Sequence, residues 1–202
     1  MKAGAPSVVL ASGSRTRAAM LTNAGVEILQ DPAQVDEDEI KRSFRAAGLK
    51  ADEVAEALAE TKAQRVSSRH RGALVVGADQ MLQLDDLWLD KPENIEEARI
   101  QLQKLRGKTH RLISCAVVVR DGQRLWHHSD SAQLTVRPFG DAFLDRYLAA
   151  VGDNVVTSVG AYQLEGAGAQ LFTRVQGDFF TVLGLPLLPL LDFLRVQGVL
   201  DS

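Results

Sequence analysis

Asp79 closes the tripeptide Gly77-Ala78-Asp79, directly after the continuous apolar run Leu74-Val75-Val76. Such a run reads as a strand buried on both faces, and open α/β sheets gather catalytic and ligand-binding groups just past the carboxyl ends of those strands. A carboxylate there can accept a proton from water or hold a divalent cation against phosphate oxygens; a plain turn residue is the alternative. Ser12-Gly13-Ser14 offers the complementary chemistry. A strand end that leads into a helix presents free backbone N–H groups, a favourable dipole and, here, two hydroxyls to an anion. Arg15 and Arg17 stand in that helix's first turn, where cations oppose the dipole; a bound polyphosphate would account for them, and an ordinary capped helix with solvated arginines is the alternative. Lys62 shares a helical row with Val54, Leu58 and Val66, where it either serves a site or snorkels to the surface. Lys91, in the rigid turn Asp90-Lys91-Pro92, either pins a phosphate as a compact point charge or is a solvated loop lysine. Glu37, near the head of the acidic run Asp36 to Glu39, is either a metal ligand or a solvated glutamate.

The elements that must position these groups are legible from periodicity. Val8 to Ala11 reads as a first strand, Arg15 to Asn23 as a helix with Ser14 at its N-cap, and Val26 to Leu29 as a second strand. A helical stretch ends near Gly48, and a longer helix spans Asp52 to about Ser67. After Leu74 to Val76, the segments Met81 to Leu84 and Leu87 to Leu89 flank Asp85-Asp86 as a small hairpin. Asn94 caps a helix, with Glu97 three residues on and Ile95, Ala98, Leu102 and Leu105 as its buried face. Asp121-Gly122 joins His110 to Arg120 with Gln123 to Leu134 in a second hairpin. Gly140 to Val151 is helical, a glycine-rich segment covers Gly160 to Gly168, and an apolar helix runs from Leu187 to Val196. Strands and helices intermix without strict alternation, which predicts an α/β fold around a mixed, twisted central sheet flanked by helices.

Composition excludes several classes. The 202 residues are 46% hydrophobic and 24% charged, ordinary for a globular chain of one domain, or of two lobes sharing a core. A net charge of -3 provides no global basic field for a nucleic acid polymer. No stretch approaches the roughly 20 apolar residues that span a bilayer, and Met1 to Ser7 lacks a signal peptide's apolar core. Cys115 is the only cysteine, so no intramolecular disulfide forms, and a reducing cytoplasm fits. The chain holds no G-x-x-x-x-G-K-[ST], no G-x-G-x-x-G after the first strand and no G-x-S-x-G. These absences disfavour a P-loop enzyme, an NAD-dependent oxidoreductase and a serine hydrolase. His110, His127 and His128 have no metal-ligand spacing, and Trp88 and Trp126 read as packing residues.

In this order the blocks resemble the Maf proteins, nucleoside triphosphate pyrophosphatases related in fold to the inosine triphosphate pyrophosphatases. Leu10-Ala11-Ser12-Gly13-Ser14 with Arg17 and Leu21 is similar to the family's opening L-A-S-x-S-P-R-R-x-x-L-L. Val35-Asp36-Glu37, Lys62-Ala63-Gln64, Gly77-Ala78-Asp79, Lys91-Pro92 and Gly107-Lys108-Thr109-His110 resemble the blocks that follow. Gly160-Ala161-Tyr162 through Gly168, Gln176-Gly177-Asp178-Phe179 and Gly184-Leu185-Pro186-Leu187 resemble the last ones, so the likeness runs from about Val8 to Arg195. It implies a single Maf-like domain over residues 1–202, two lobes with a cleft between them, and often a homodimer. The implied activity is a house-cleaning hydrolase, dependent on Mg²⁺ or Mn²⁺, that cuts a nucleoside triphosphate, modified bases included, into monophosphate and pyrophosphate. Asp79 matches the catalytic aspartate, Ser12, Ser14, Arg17, Lys62 and Lys91 match triphosphate-binding positions, and Glu37 matches an acidic site residue. Glu37 and Asp79 are the candidate metal ligands, Asp79 serving either as general base or as holder of the metal that acidifies the water.

The departures bear on the base. Arg15 replaces the usual proline and Thr16 the first arginine of the pair. Members acting on dTTP and UTP combine that arginine with a threonine after the aspartate and a glutamine in the G-A-Y block; here the three positions are Thr16, Gln80 and Glu165. Gln80 and Glu165 resemble the branch acting on 7-methyl-GTP, whose members carry an aromatic residue where Thr16 stands. A nucleotide-binding regulator of septum formation with little catalysis is the alternative function, against which the joint presence of Asp79, Lys62 and Lys91 argues.

Overall fold

The computed structural model describes residues 5–201. Among them, seven strands make one sheet: β1 (Val8–Leu10), β2 (Ile28–Gln30), β3 (Leu74–Leu84), β4 (Leu87–Leu89), β5 (Thr109–Arg120), β6 (Gln123–Val136) and β7 (Phe172–Gln176). Their order is β2-β1-β3-β5-β6-β7, with β4 paired to β3. The sheet is mixed: β1 runs parallel to β2 and β3, whereas β3–β4 and β6–β7 are antiparallel. The helices among the described residues are α1 (Arg15–Asn23), α2 (Glu37–Ala46), α3 (Ala51–Ser67), α4 (Ile95–Leu105), α5 (Asp141–Val151), the short α6 (Phe179–Val182) and α7 (Leu187–Val196). Three short 3-10 turns occupy most of the stretch from Gly152 to Leu171.

The α/β class and mixed sheet agree with the sequence reading, and local chemistry explains most boundaries. Ser14 caps α1, its side chain accepting from the Arg17 N–H, and Asp36 caps α2 by accepting from Glu39 at 2.9 Å. Asn94 caps α4 by accepting from Glu97, while the Glu97 carboxylate reaches back one residue further than the predicted capping box, to the Glu93 N–H. Asp121 and Gly122 both take left-handed backbone, φ 49° and 78°, as a two-residue hairpin turn requires.

Three expectations are corrected. Ile95, expected on the buried face of α4, is exposed. The second strand lies at Ile28–Gln30 rather than Val26 to Leu29. More consequentially, Leu74–Val76 and Met81–Leu84 are one strand, so Asp79 lies inside β3 and not past its end. The parallel register with β1 covers Leu74–Val76 and the antiparallel register with β4 covers Leu82–Leu84, so residues 77–81 are paired by neither. What resembled a turn is the stretch of strand between those two registers, where the Arg17 side chain donates to the Ala78 carbonyl.

The chain divides into two compact units. The first comprises the chain up to Gln80, Ser114–Asp130 and the segment from Gly184 onward; the second comprises Met81–Ile113 and Ser131–Leu183. In the first unit, Leu10, Leu21, Leu58, Leu74, Val75, Val117 and Leu194 are buried. Cys115 is buried there too, and burial pushes its thiol up to about 11, as an inert core cysteine should be. The second unit has its own core, including Leu82, Leu102, Leu112, Leu134, Leu144 and Tyr162. No helix among the described residues is long and apolar enough to cross a membrane.

Candidate active site

The helix mouth is built around Ser12, which is 7% exposed, and Ser14. Ser14 donates its backbone N–H to the Ser12 hydroxyl at 3.3 Å and accepts from the Arg17 N–H at 3.3 Å. Gln30 donates its side-chain amide to the Ser12 carbonyl at 2.7 Å and so fixes the loop from the neighbouring strand. Arg17 then supplies its own reason for standing in the first turn. Its Nε donates to the Gly184 carbonyl at 2.7 Å, and its Nη1 donates to the Ala78 carbonyl and the Ser12 hydroxyl, each at 3.1 Å. Burial holds this guanidinium below its usual pKa, an effect the negative charges of Asp79 and Glu37 partly oppose. The sequence alone leaves a polyphosphate or plain solvation to account for this arginine; within the protein it ties three segments of the chain together.

Gly77 decides how Asp79 meets its partner. A Cβ at that position would lie 2.0 Å from the Ala59 carbonyl oxygen and 2.7 Å from the Ala63 nitrogen, so only glycine lets α3 rest on β3 here. Side chains alternate along a strand, so Gly77 and Asp79 face the same way, toward that helix. Lys62, on the same helix, is 6% exposed and does not snorkel. Its Nζ lies 2.6 Å from Asp79 Oδ1 and 2.8 Å from Glu37 Oε1. One ammonium thus bridges two carboxylates contributed by α2 and β3. Asp79 itself is 4% exposed, and its second oxygen, Oδ2, is buried and makes no hydrogen bond among the described residues.

The remaining sequence-selected residues fall as follows. Gln80 donates to the Ser114 hydroxyl at 3.0 Å, and it and Arg17 flank Gly184. Thr16 is half-buried in the first turn of α1. Ser12, Ser14, Thr16, Arg17, Glu37, Lys62, Asp79 and Gln80 are all carried by the first unit, whereas Lys91 and Glu165 belong to the second and are exposed there. The turn bearing Lys91 is held by Gln101, buried on α4, which donates to the Asp90 carbonyl at 3.0 Å. Sequence reasoning missed Gln30, Ser114 and Gln101, and took Gly184 only as part of a family block. Of the first three, Gln101 alone left a trace, as a polar residue among the apolar positions Ala98, Leu102 and Leu105 of one helix face.

No group of three or more His, Cys, Asp or Glu side chains is arranged to hold a metal ion among the described residues. Two carboxylates are nevertheless the protein complement that Mg²⁺ commonly takes when substrate phosphates and water complete its shell. The bare Oδ2 of Asp79 and the partly exposed carboxylate of Glu37 fit that role.

In structural terms this is an α/β protein that sets a serine-lined helix mouth beside a lysine-bridged pair of carboxylates. The chain belongs to the Maf family: the model for "Maf-like protein" matches residues 7–197. It is 59% identical over 192 residues to a nucleoside triphosphate pyrophosphatase of Paramagnetospirillum magneticum, covering 95% of this chain and 99% of that one. A nucleoside triphosphate pyrophosphatase of Rhodospirillum rubrum is 51% identical over 100% of both chains. A 7-methyl-GTP pyrophosphatase of Mesorhizobium japonicum is 50% identical over 96% of this chain and 98% of that one.

Proposed function

We propose that this protein hydrolyses a nucleoside triphosphate to its monophosphate and pyrophosphate, the activity for which its relatives are named, and that Asp79 is the catalytic carboxylate. The observation that carries this reading is the asymmetric environment of Asp79, with Oδ1 fixed by Lys62 at 2.6 Å and Oδ2 buried without a hydrogen bond. An oxygen of that kind is oriented and dry, and its two lone pairs can serve a proton donor and a cation together.

Water attacks the α-phosphorus and its oxygen forms the new P–O bond. Asp79 Oδ2 accepts the water's proton, and the bond from the α-phosphorus to the oxygen bridging it to the β-phosphorus breaks, releasing pyrophosphate. Ser12, Ser14 and the first N–H groups of α1 receive phosphate oxygens, as helix mouths do. Arg17, Lys62 and Lys91 balance the charge that builds on those oxygens, the stabilisation on which phosphoryl transfer chiefly depends. Asp79 and Glu37 would hold Mg²⁺ or Mn²⁺, which supplies Lewis-acid polarisation of the phosphate oxygens. Thr16, Gln80 and Glu165 read the base edge, where a mismatched base leaves a buried polar group unpaired. Gln80 and Glu165 support a purine-type or modified substrate such as 7-methyl-GTP, in line with relatives that carry that name.

The deciding experiment incubates the purified protein with Mg²⁺ or Mn²⁺ and a panel of 7-methyl-GTP, 5-methyl-UTP, dTTP and the common triphosphates. Equimolar monophosphate and pyrophosphate are the expected products. Orthophosphate in place of pyrophosphate, or binding without turnover of every nucleotide, would overturn the reading.

A further inference from the structure

His110 is a buried imidazole to which the reaction above gives no task. It lies on β5, 2% exposed, with its Nε2 2.6 Å from the Tyr162 hydroxyl. Its Nδ1 is buried and makes no hydrogen bond among the described residues. A ring that only filled space would be better replaced by a leucine, which has no polar atom to desolvate. The useful property of this one is therefore its directional grip on Tyr162.

Tyr162 follows two residues in left-handed backbone, Gly160 at φ 77° and Ala161 at φ 61°. Alanine is uncommon in that region, so the surroundings must hold it there. Tyr147 donates its hydroxyl to the Ala161 carbonyl at 3.1 Å, and the Tyr162 ring meets Phe172 edge-on at 4.8 Å. The chain then turns at once, the Gly166 N–H donating to the Gln163 carbonyl at 3.2 Å. Gly168 lies so close to Gln163 that a Cβ would fall 2.4 Å from that carbonyl oxygen. Glu165 sits in this tight turn, three residues beyond the clamped tyrosine. Little slack separates the clamp from the carboxylate.

We propose that His110 and Tyr162 are positioning residues for substrate selection, their buried hydrogen bond fixing the Gly160 to Gly166 segment and with it the place where Glu165 meets the base. This rests on the reading of Glu165 as a base-reading group. Burial lowers the His110 pKa to about 4 and raises that of Tyr162 well above its usual 10, so both rings are neutral across the working range and the clamp does not loosen with pH there.

Tyr162→Phe keeps the ring against Phe172 and removes only the hydroxyl. The test measures kcat, KM and Tm for the preferred triphosphate and two others in wild type, Y162F, H110L, H110Q, E165A and the Y162F/E165A double variant. Y162F and H110L are expected to raise KM for the preferred substrate about fivefold to tenfold, with kcat changed less than about twofold and the preference narrowed. H110Q, whose amide can still bond Tyr162, retains the preference, and Y162F adds nothing in the E165A background. If E165A narrows the preference while Y162F does not, the positioning role is overturned and base reading by Glu165 stands. If E165A leaves the preference intact, both fall. A uniform loss of kcat for every triphosphate, tracking Tm, also overturns the proposal. Should Y162F fail to fold, H110L and H110Q decide the matter, and equal preferences in those two overturn it.

Discussion

Asp79 is gripped at one oxygen and bare at the other, and each half of that description makes a prediction. Asp79→Asn preserves shape and leaves Lys62 paired with Glu37, but an amide cannot take up a proton. Turnover is expected to fall by about 10²- to 10⁴-fold while calorimetry still detects nucleotide binding. Lys62→Met instead leaves the buried carboxylate without its paired ammonium, an expected loss of about 3–5 kcal/mol in urea unfolding. D79N should therefore be the more stable of the two variants. His110 gives a prediction in pH. Burial lowers its folded pKa from 6.5 to about 4, so the unfolded chain takes up a proton first as the solution is acidified. The neutral buried ring contributes fully above pH 6.5, and that contribution is lost as pH falls toward 4, a span worth about 3 kcal/mol. Urea midpoints measured from pH 7 to pH 4 should show this slope in the wild type and lack it in H110Q.

At the level of elements, the contact of α3 with β3 is what brings Lys62 to Asp79. Gly77→Ala would place a methyl carbon within 2.0 Å of the Ala59 carbonyl oxygen. The helix must move, at an expected cost of about 1–3 kcal/mol or more, and turnover should fall further than the lost stability explains because the ion pair moves with it. Comparing the fully folded fraction's kcat with that of wild type separates the two effects. Ser14→Ala removes the cap of α1 and should cost about 1 kcal/mol. These examples also show which elements the sequence could disclose. The Asp121-Gly122 hairpin, the Ser14 cap and α7 carry local chemistry or strong periodicity, and each lies where the pattern puts it. β3 is hidden in the sequence because a glycine two residues before an aspartate looks the same whether it makes a turn or admits a helix. β7 offered no signal at all, since none of its five residues is buried and no alternation marks it. The candidate site divides the same way: the motif residues were visible, but the acceptors of Arg17 at Gly184 and Ala78 are backbone carbonyls, which any residue type supplies.

On the scale of the whole chain, neither compact unit is a continuous stretch of sequence. The chain passes between them within β3, β5 and β6, and once more between Leu183 and Gly184. The first unit is completed by α7, whose Leu187, Leu190, Leu191 and Leu194 are all buried. Removing residues 187–202 would strip four leucines from that core at about 2–5 kcal/mol each, a sum comparable to the entire stability of a typical domain. The truncated protein is expected to lose its cooperative unfolding transition, which circular dichroism against urea would report. The bond from Arg17 to the Gly184 carbonyl joins residues 167 positions apart and is part of the helix mouth itself. A ribosome must add 167 residues after Arg17 before its acceptor at Gly184 exists, so the mouth of α1 lacks that tie throughout their synthesis.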